Sequence, residues 1–226
     1  MGRFDAIYTI AAARKGGPDA LEALIAEHAP KTHDQIAATP DDRILAMMTE
    51  RVFQAGFSWK VIENKWSGFE LAFNRFDPRA CAAMSEETFD DALLKDVRIV
   101  RNAQKILSVQ ANARFLLDLA AEHGSAAKAL ADWPDDDYAG LLEFLKTRAS
   151  RLGGESAMRF LRSLGKPSFI TSRDVTAALI REGVLTRPAS GKRDMQAVQA
   201  AFNAWAAESG RDLTAISRVL SMSVGV

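Results

Sequence analysis

Helical periodicity dominates the apolar residues of this 226-residue chain, and alternation of the strand kind is scarce. That restricts it to helices packed on helices. Pro18 opens a segment with Leu21, Leu24 and Ile25 on one stripe. Thr39-Pro40-Asp41-Asp42 starts a helix through Ile44, Leu45, Met48 and Val52 that ends near Gly56. Ser58 is read as the cap of the next, in which Trp59, Ile62, Trp66 and Phe69 recur at helical spacing. Residues 78–84 make a short helical turn, and Ser85 to Thr88 look like a cap before Phe89. A long helix is expected over about 100–123, stopped by Gly124, and others over 138–147, 155–164, 172–181 and 195–209, with a last from about Asp212. The expectation is an all-α fold of roughly ten short helices. It forms one domain over 1–226, two-lobed, with a lobe boundary near 133–138, where Trp133-Pro134-Asp135-Asp136-Asp137 reads as an acidic linker.

Composition narrows the function. Cys81 is the only cysteine, which excludes an intrachain disulfide and suits a reducing cytoplasm. His28, His33 and His123 share no metal-ligand spacing, so no metal and no cofactor is expected. No apolar run approaches the roughly 20 residues of a membrane span. The apolar opening Ile7 to Ala13 is preceded by Asp5 and makes a poor signal peptide, and Ala6 stands where a myristoylation motif wants Ser or Thr. The chain shows no Ser-His-Asp set and no Gly-rich phosphate loop with its Lys. Net charge is zero but unevenly spread: residues 1–139 hold 16 Lys and Arg against 22 Asp and Glu, and residues 140–226 hold 13 against 7. A basic half beside an acidic one suits a polyanion on one face.

Two segments say more. The first runs Gln54-Ala55-Gly56-Phe57-Ser58-Trp59, Phe73-Asn74-Arg75-Phe76-Asp77-Pro78, Ile99-Val100-Arg101-Asn102, Lys105-Ile106 and Asn112-Ala113-Arg114. The series resembles the DNA-3-methyladenine glycosylase I family, which reads Gln-Ala-Gly-Leu-Ser-Trp, Phe-Asp-Pro, Ile-Ile-Arg, Lys-Ile and Asn-Ala-Arg in the same order. The second, Leu152-Gly153-Gly154-Glu155-Ser156-Ala157, is similar to the second half of the helix-hairpin-helix element of base-excision glycosylases, usually Leu-Pro-Gly-Val-Gly-Arg-Lys-Thr-Ala. In such a hairpin a glycine at positive φ and a helix N-terminus present backbone N–H groups to DNA phosphates. Gly153 matches the second hairpin glycine and Arg151 replaces the first, with Gly154 able to share the turn. The resemblance covers about 41–122 and 138–183.

It implies a two-lobed helical glycosylase fold and a monofunctional enzyme that extrudes a base from double-stranded DNA, 3-methyladenine first among candidates, and cuts its N-glycosidic bond. Trp59 would stack on the base, with Phe57 and Phe53 nearby. The family places a base-contacting Glu eight residues before that Trp, where this chain has Arg51, with Glu50 one place earlier. One residue is about 100° around a helix, so the two candidates point differently. Glu50 in the site keeps recognition of a cationic base, and Arg51 there repels it. Asp174, 21 residues past Gly153, is either a charge-stabilising catalytic carboxylate or a helix cap beside Ser172. Phosphate contacts fall to Arg148, Arg151, Arg159 and Arg173 with Gly153 and Gly154. Where a Schiff-base lysine would stand are Glu155 and Ser156, so water is the expected nucleophile. The family's N-terminal aromatics and its Cys/His zinc clasp are absent. Two other readings stay open: a catalytically silent or re-specialised DNA- or lesion-binding member, and a helical protein–protein module. The chain is expected to act as a monomer.

Overall fold

A computed structural model describes residues 2–225. The described residues contain thirteen α-helices and no strand. The helices are α1 (Phe4–Lys15), α2 (Pro18–Ala26), α3 (His33–Ala37), α4 (Asp41–Gln54), α5 (Trp59–Ala72), α6 (Pro78–Ala82), α7 (Ala103–His123), α8 (Ala126–Asp132), α9 (Tyr138–Arg148), α10 (Glu155–Leu164), α11 (Arg173–Arg181), α12 (Lys192–Ser209) and α13 (Leu213–Ser223). The all-α expectation holds, with more helices than the roughly ten expected: α1, α3 and α8 are additional. None is long and apolar enough to cross a membrane.

The chain divides into two compact units. Unit one holds residues 1–31, 133–143 and 165–226. In it α1 and α11 pack on α13. Its aromatic core runs from Tyr138 edge-on to Phe169 at 4.7 Å, on to Phe202 at 4.6 Å, and to Trp205, whose indole N–H donates to the Gly2 carbonyl. The acidic stretch 133–137 is no open linker: Asp135–Asp137 form a 3₁₀ turn, and the buried Lys166 ammonium reaches Asp135 at 3.0 Å.

Unit two holds residues 32–132 and 144–164, hence α3 to α8, the second half of α9, and α10. Here α4 packs on α7 and α10. Ile44, Leu45, Met48, Phe53, Ile62, Phe69, Ile106 and Leu116 have no solvent exposure. The Phe73–Pro78 motif gains its meaning here. Asn74, Arg75 and Phe76 all have left-handed backbone, at φ 48°, 54° and 61°. Each such non-glycine residue costs roughly 1–2 kcal/mol. The turn is offset by what it buries: the Phe76 ring stacks on Trp66 at 5.3 Å, Arg43 donates to the Arg75 carbonyl, and Asp77 caps α6 through the Ala80 N–H. Ser58 precedes α5 but makes no capping bond, which corrects the sequence reading of that residue.

Candidate functional site

The last turn of α4 carries a hydrogen-bonded set at i, i+3 and i+4 spacing. Arg51 donates from Nη1 to Gln54 Oε1 at 2.6 Å, and Gln54 Nε2 donates to Glu50 Oε1 at 3.0 Å. Arg51 also reaches α10, where Nε donates to Ser163 Oγ at 3.0 Å. Ser163 in turn donates to the Arg159 carbonyl. The chain then reverses at Gly56, whose φ of 76° favours a residue without Cβ. Residues 55–61 are exposed throughout, and they include three large apolar side chains: Phe57, Trp59 and Val61. Trp59 is 44% exposed. The Arg51 guanidinium lies 5.5 Å from the centre of its ring and that of Arg159 4.9 Å. Of the two residues the sequence left open, it is Arg51 that the structure sets over Trp59.

Behind this turn stands Lys105, from the first turn of α7. It is 6% exposed, and its ammonium donates to the Phe53 and Ala55 carbonyls at the end of α4. These are carbonyls that a helix end leaves without intrahelical partners, and the cation suits that negative end. The same ammonium lies 4.5 Å from the centre of the Phe57 ring. Burial, with the Arg151 charge adding to it, pulls this ammonium below the usual lysine range.

Residues 149–154 join α9 to α10 as a hairpin. Asn112, 1% exposed on α7, clasps it: Nδ2 donates to the Ser150 carbonyl at 3.1 Å and the Ser150 N–H donates to Oδ1 at 2.7 Å. Gly153 does not have the positive φ expected of it. The left-handed positions are Arg151, at 61°, and Gly154, at 57°. The turn is therefore made two residues before Gly153 and one residue after it. Gly153 and Gly154 are exposed and precede the first N–H groups of α10, which have no partner within the helix. Around the hairpin, Arg148 is held by Glu122 at 2.8 Å and Arg159 by Glu155. Arg151, exposed, donates to the neutral Gln104 at 3.0 Å and so keeps its net charge.

Other candidates fare differently. Phe53 cannot face a base: it has no exposure and packs edge-on against Phe69 at 4.7 Å, which corrects its assignment. Asp174 and Arg173 belong to unit one, exposed in the first turn of α11. The cap of that helix is Ser172, which accepts the Val175 N–H, so Asp174 is not the capping residue. Lys105, Asn112, Gln54 and Ser163 were not selected from the sequence. Lys105 and Asn112 stand within its motif series, yet their roles depend on segments about 50 and 38 residues away. A cavity of about 280 Å³ elsewhere in unit two, lined by Met84, Phe89, Leu93, Ile106, Gln110 and Arg114, includes none of the candidates. Two of its polar side chains, Gln110 and Arg114, donate to the Ala82 and Met84 carbonyls.

Residues 27–140, half of the chain, match the model of a family described as methyladenine glycosylase. The DNA-3-methyladenine glycosylase 1 of Escherichia coli (strain K12) is 32% identical over 84 residues, which are 37% of this chain and 44% of that protein. The chain thus spans less than half the length of this relative. Two solved structures share the fold. One is a variant of 3-methyladenine DNA glycosylase I in complex with 3-methyladenine: TM-score 0.52, 21% identity, 66% of this chain and 88% of that one. The other is a mutant of 3-methyladenine DNA glycosylase I from Staphylococcus aureus: TM-score 0.51, 22% identity, 68% and 90%.

Proposed function

Because this chain belongs to the methyladenine glycosylase family, we propose that it is a DNA glycosylase hydrolysing the N-glycosidic bond of an alkylated base. 3-Methyladenine is the base named for its relatives. The observation that carries the reading is Trp59: a large aromatic ring left 44% exposed, beside α10, the second helix of the hairpin. Exposed apolar side chains grouped in one segment mark a binding surface. An extruded base stacks on such a ring, with Phe57 the wedge beside it. The Gly153 and Gly154 turn, the N-terminus of α10 and Arg151 supply phosphate contacts in this account.

In the chemical step the C1′–N bond breaks with its electron pair on the departing base. The oxygen of water bonds C1′, and the proton that water loses goes to solvent when the nucleotide was cationic, since its base then leaves as a neutral molecule, and to the base when the nucleotide was neutral. Lys105 is no substitute nucleophile, since its ammonium is committed to two carbonyls. Water remains the nucleophile, and no cofactor is called for.

Trp59→Ala tests the reading. Base release is expected to fall about 10- to 100-fold, the scale of one stacking contact, with duplex affinity nearly unchanged. Equal release by the mutant would remove Trp59 from the site. A second reading, a member that binds lesions without cutting them, is favoured by the guanidinium over Trp59 where a carboxylate would attract a cationic base. Tight binding of an alkylated duplex without base release would select it.

A further inference from the structure

We propose that Arg51 makes this site select electrically neutral alkylated bases over cationic ones; the proposal rests on the glycosylase reading above. The charges around the exposed rings carry it. Arg51 and Arg159 lie over Trp59, and Lys105 lies against Phe57. Two carboxylates beside these cations are already engaged: Glu155 holds Arg159, and Glu50 accepts from Gln54 and faces Arg51 at 3.8 Å. A base settling on Trp59 therefore meets positive charge.

Arg51 is also fixed. Its Nε is bound to Ser163 on α10 and its Nη1 to Gln54 on α4, so its guanidinium cannot swing away without losing both. Its Nη2 meets only Glu50, at a distance longer than a hydrogen bond. A guanidinium carries five N–H donors, and two are spent. The rest form a fork suited to paired acceptors on a purine edge.

The leaving group makes this a matter of rate as well as binding. A cationic base departs as a neutral molecule, so a guanidinium opposes its binding, and the relief of that repulsion as the C1′–N bond breaks only returns what binding lost. A neutral base departs with the electron pair and negative charge develops on its ring. A fixed donor at that ring stabilises the transition state more than the ground state.

The test measures single-turnover release, at protein concentrations well below saturation so that binding counts, from two duplexes of one sequence, one holding 3-methyladenine, cationic as a nucleotide, the other the neutral 1,N6-ethenoadenine. Each rate is divided by spontaneous release from the same duplex. The readout is the ratio of the two, which partial misfolding of a variant leaves unmoved. The neutral base is expected to win by about tenfold or more, the scale of one charge-assisted hydrogen bond. Arg51→Gln should bring the ratio down about tenfold and Arg51→Glu should invert it. A wild-type preference for 3-methyladenine, or a ratio that neither substitution moves, would overturn the proposal and leave the glycosylase standing. Release of neither base from bound duplexes would overturn both.

Discussion

The Cys81 thiol, 1% exposed on α6, donates to the Phe73 carbonyl at 3.2 Å, and burial pushes its pKa up to about 12. At pH 8 only about one molecule in ten thousand would hold the thiolate, the form that reacts. Iodoacetamide is therefore expected to leave the native protein unlabelled and to modify one thiol per chain in denaturant. Stoichiometric labelling in native buffer would contradict this burial. The same weighing of exposure separates the aromatic candidates. Phe53 and Phe57 are both phenylalanines near the end of α4, but one is sealed in the core and the other is 40% exposed. From the sequence the two looked alike, because the helical stripe does not tell where α4 ends and the chain turns outward. Trp59 was legible as a candidate through its motif, and its exposure keeps it one. That Arg51, not Glu50, stands over it was not legible, since it depends on a hydroxyl from Ser163, 112 residues away.

Among the elements, the hairpin depends most on a partner distant in sequence. Arg151 holds a left-handed backbone that glycine would hold at less cost, and Asn112 fixes the residue before it by two hydrogen bonds. In Asn112→Asp a carboxylate would face the Ser150 carbonyl where an amide N–H now donates. The buried loss is on the order of 1–3 kcal/mol. Faster amide exchange over residues 149–154 and about tenfold weaker duplex binding are expected, with unit two still folded. Faster exchange with unchanged affinity would show that the hairpin does not hold DNA. Helix α10 was readable to its exact ends, Glu155 and Leu164, because Gly-Gly precedes it and Gly follows. Helix α1 was not: Arg3 makes no capping bond, and its short alanine-rich stripe resembles an unstructured apolar opening.

For the molecule as a whole, the excess of positive charge in residues 140–226 is less free than a count suggests. Arg148, Arg159, Arg181, Arg187 and Arg211 each pair with a carboxylate. Exposed pairs of this kind contribute little to stability, typically below about 1 kcal/mol, and they lower the charge offered to a polyanion. Duplex affinity should then rest on few cations and on hairpin N–H groups, giving a shallow dependence on salt. The all-α architecture was legible from periodicity alone, and the family from motifs spread over residues 54–114. That each of the two units is assembled from segments far apart in the chain was not. The central claim is that this fold cuts a base from DNA. A duplex carrying one alkylated base at a known position, incubated with excess protein, is resolved by chromatography for free base and by alkali cleavage for the abasic strand. The account predicts equal amounts of both products, lost together in Trp59→Ala. An intact strand recovered from a fully bound duplex would contradict it.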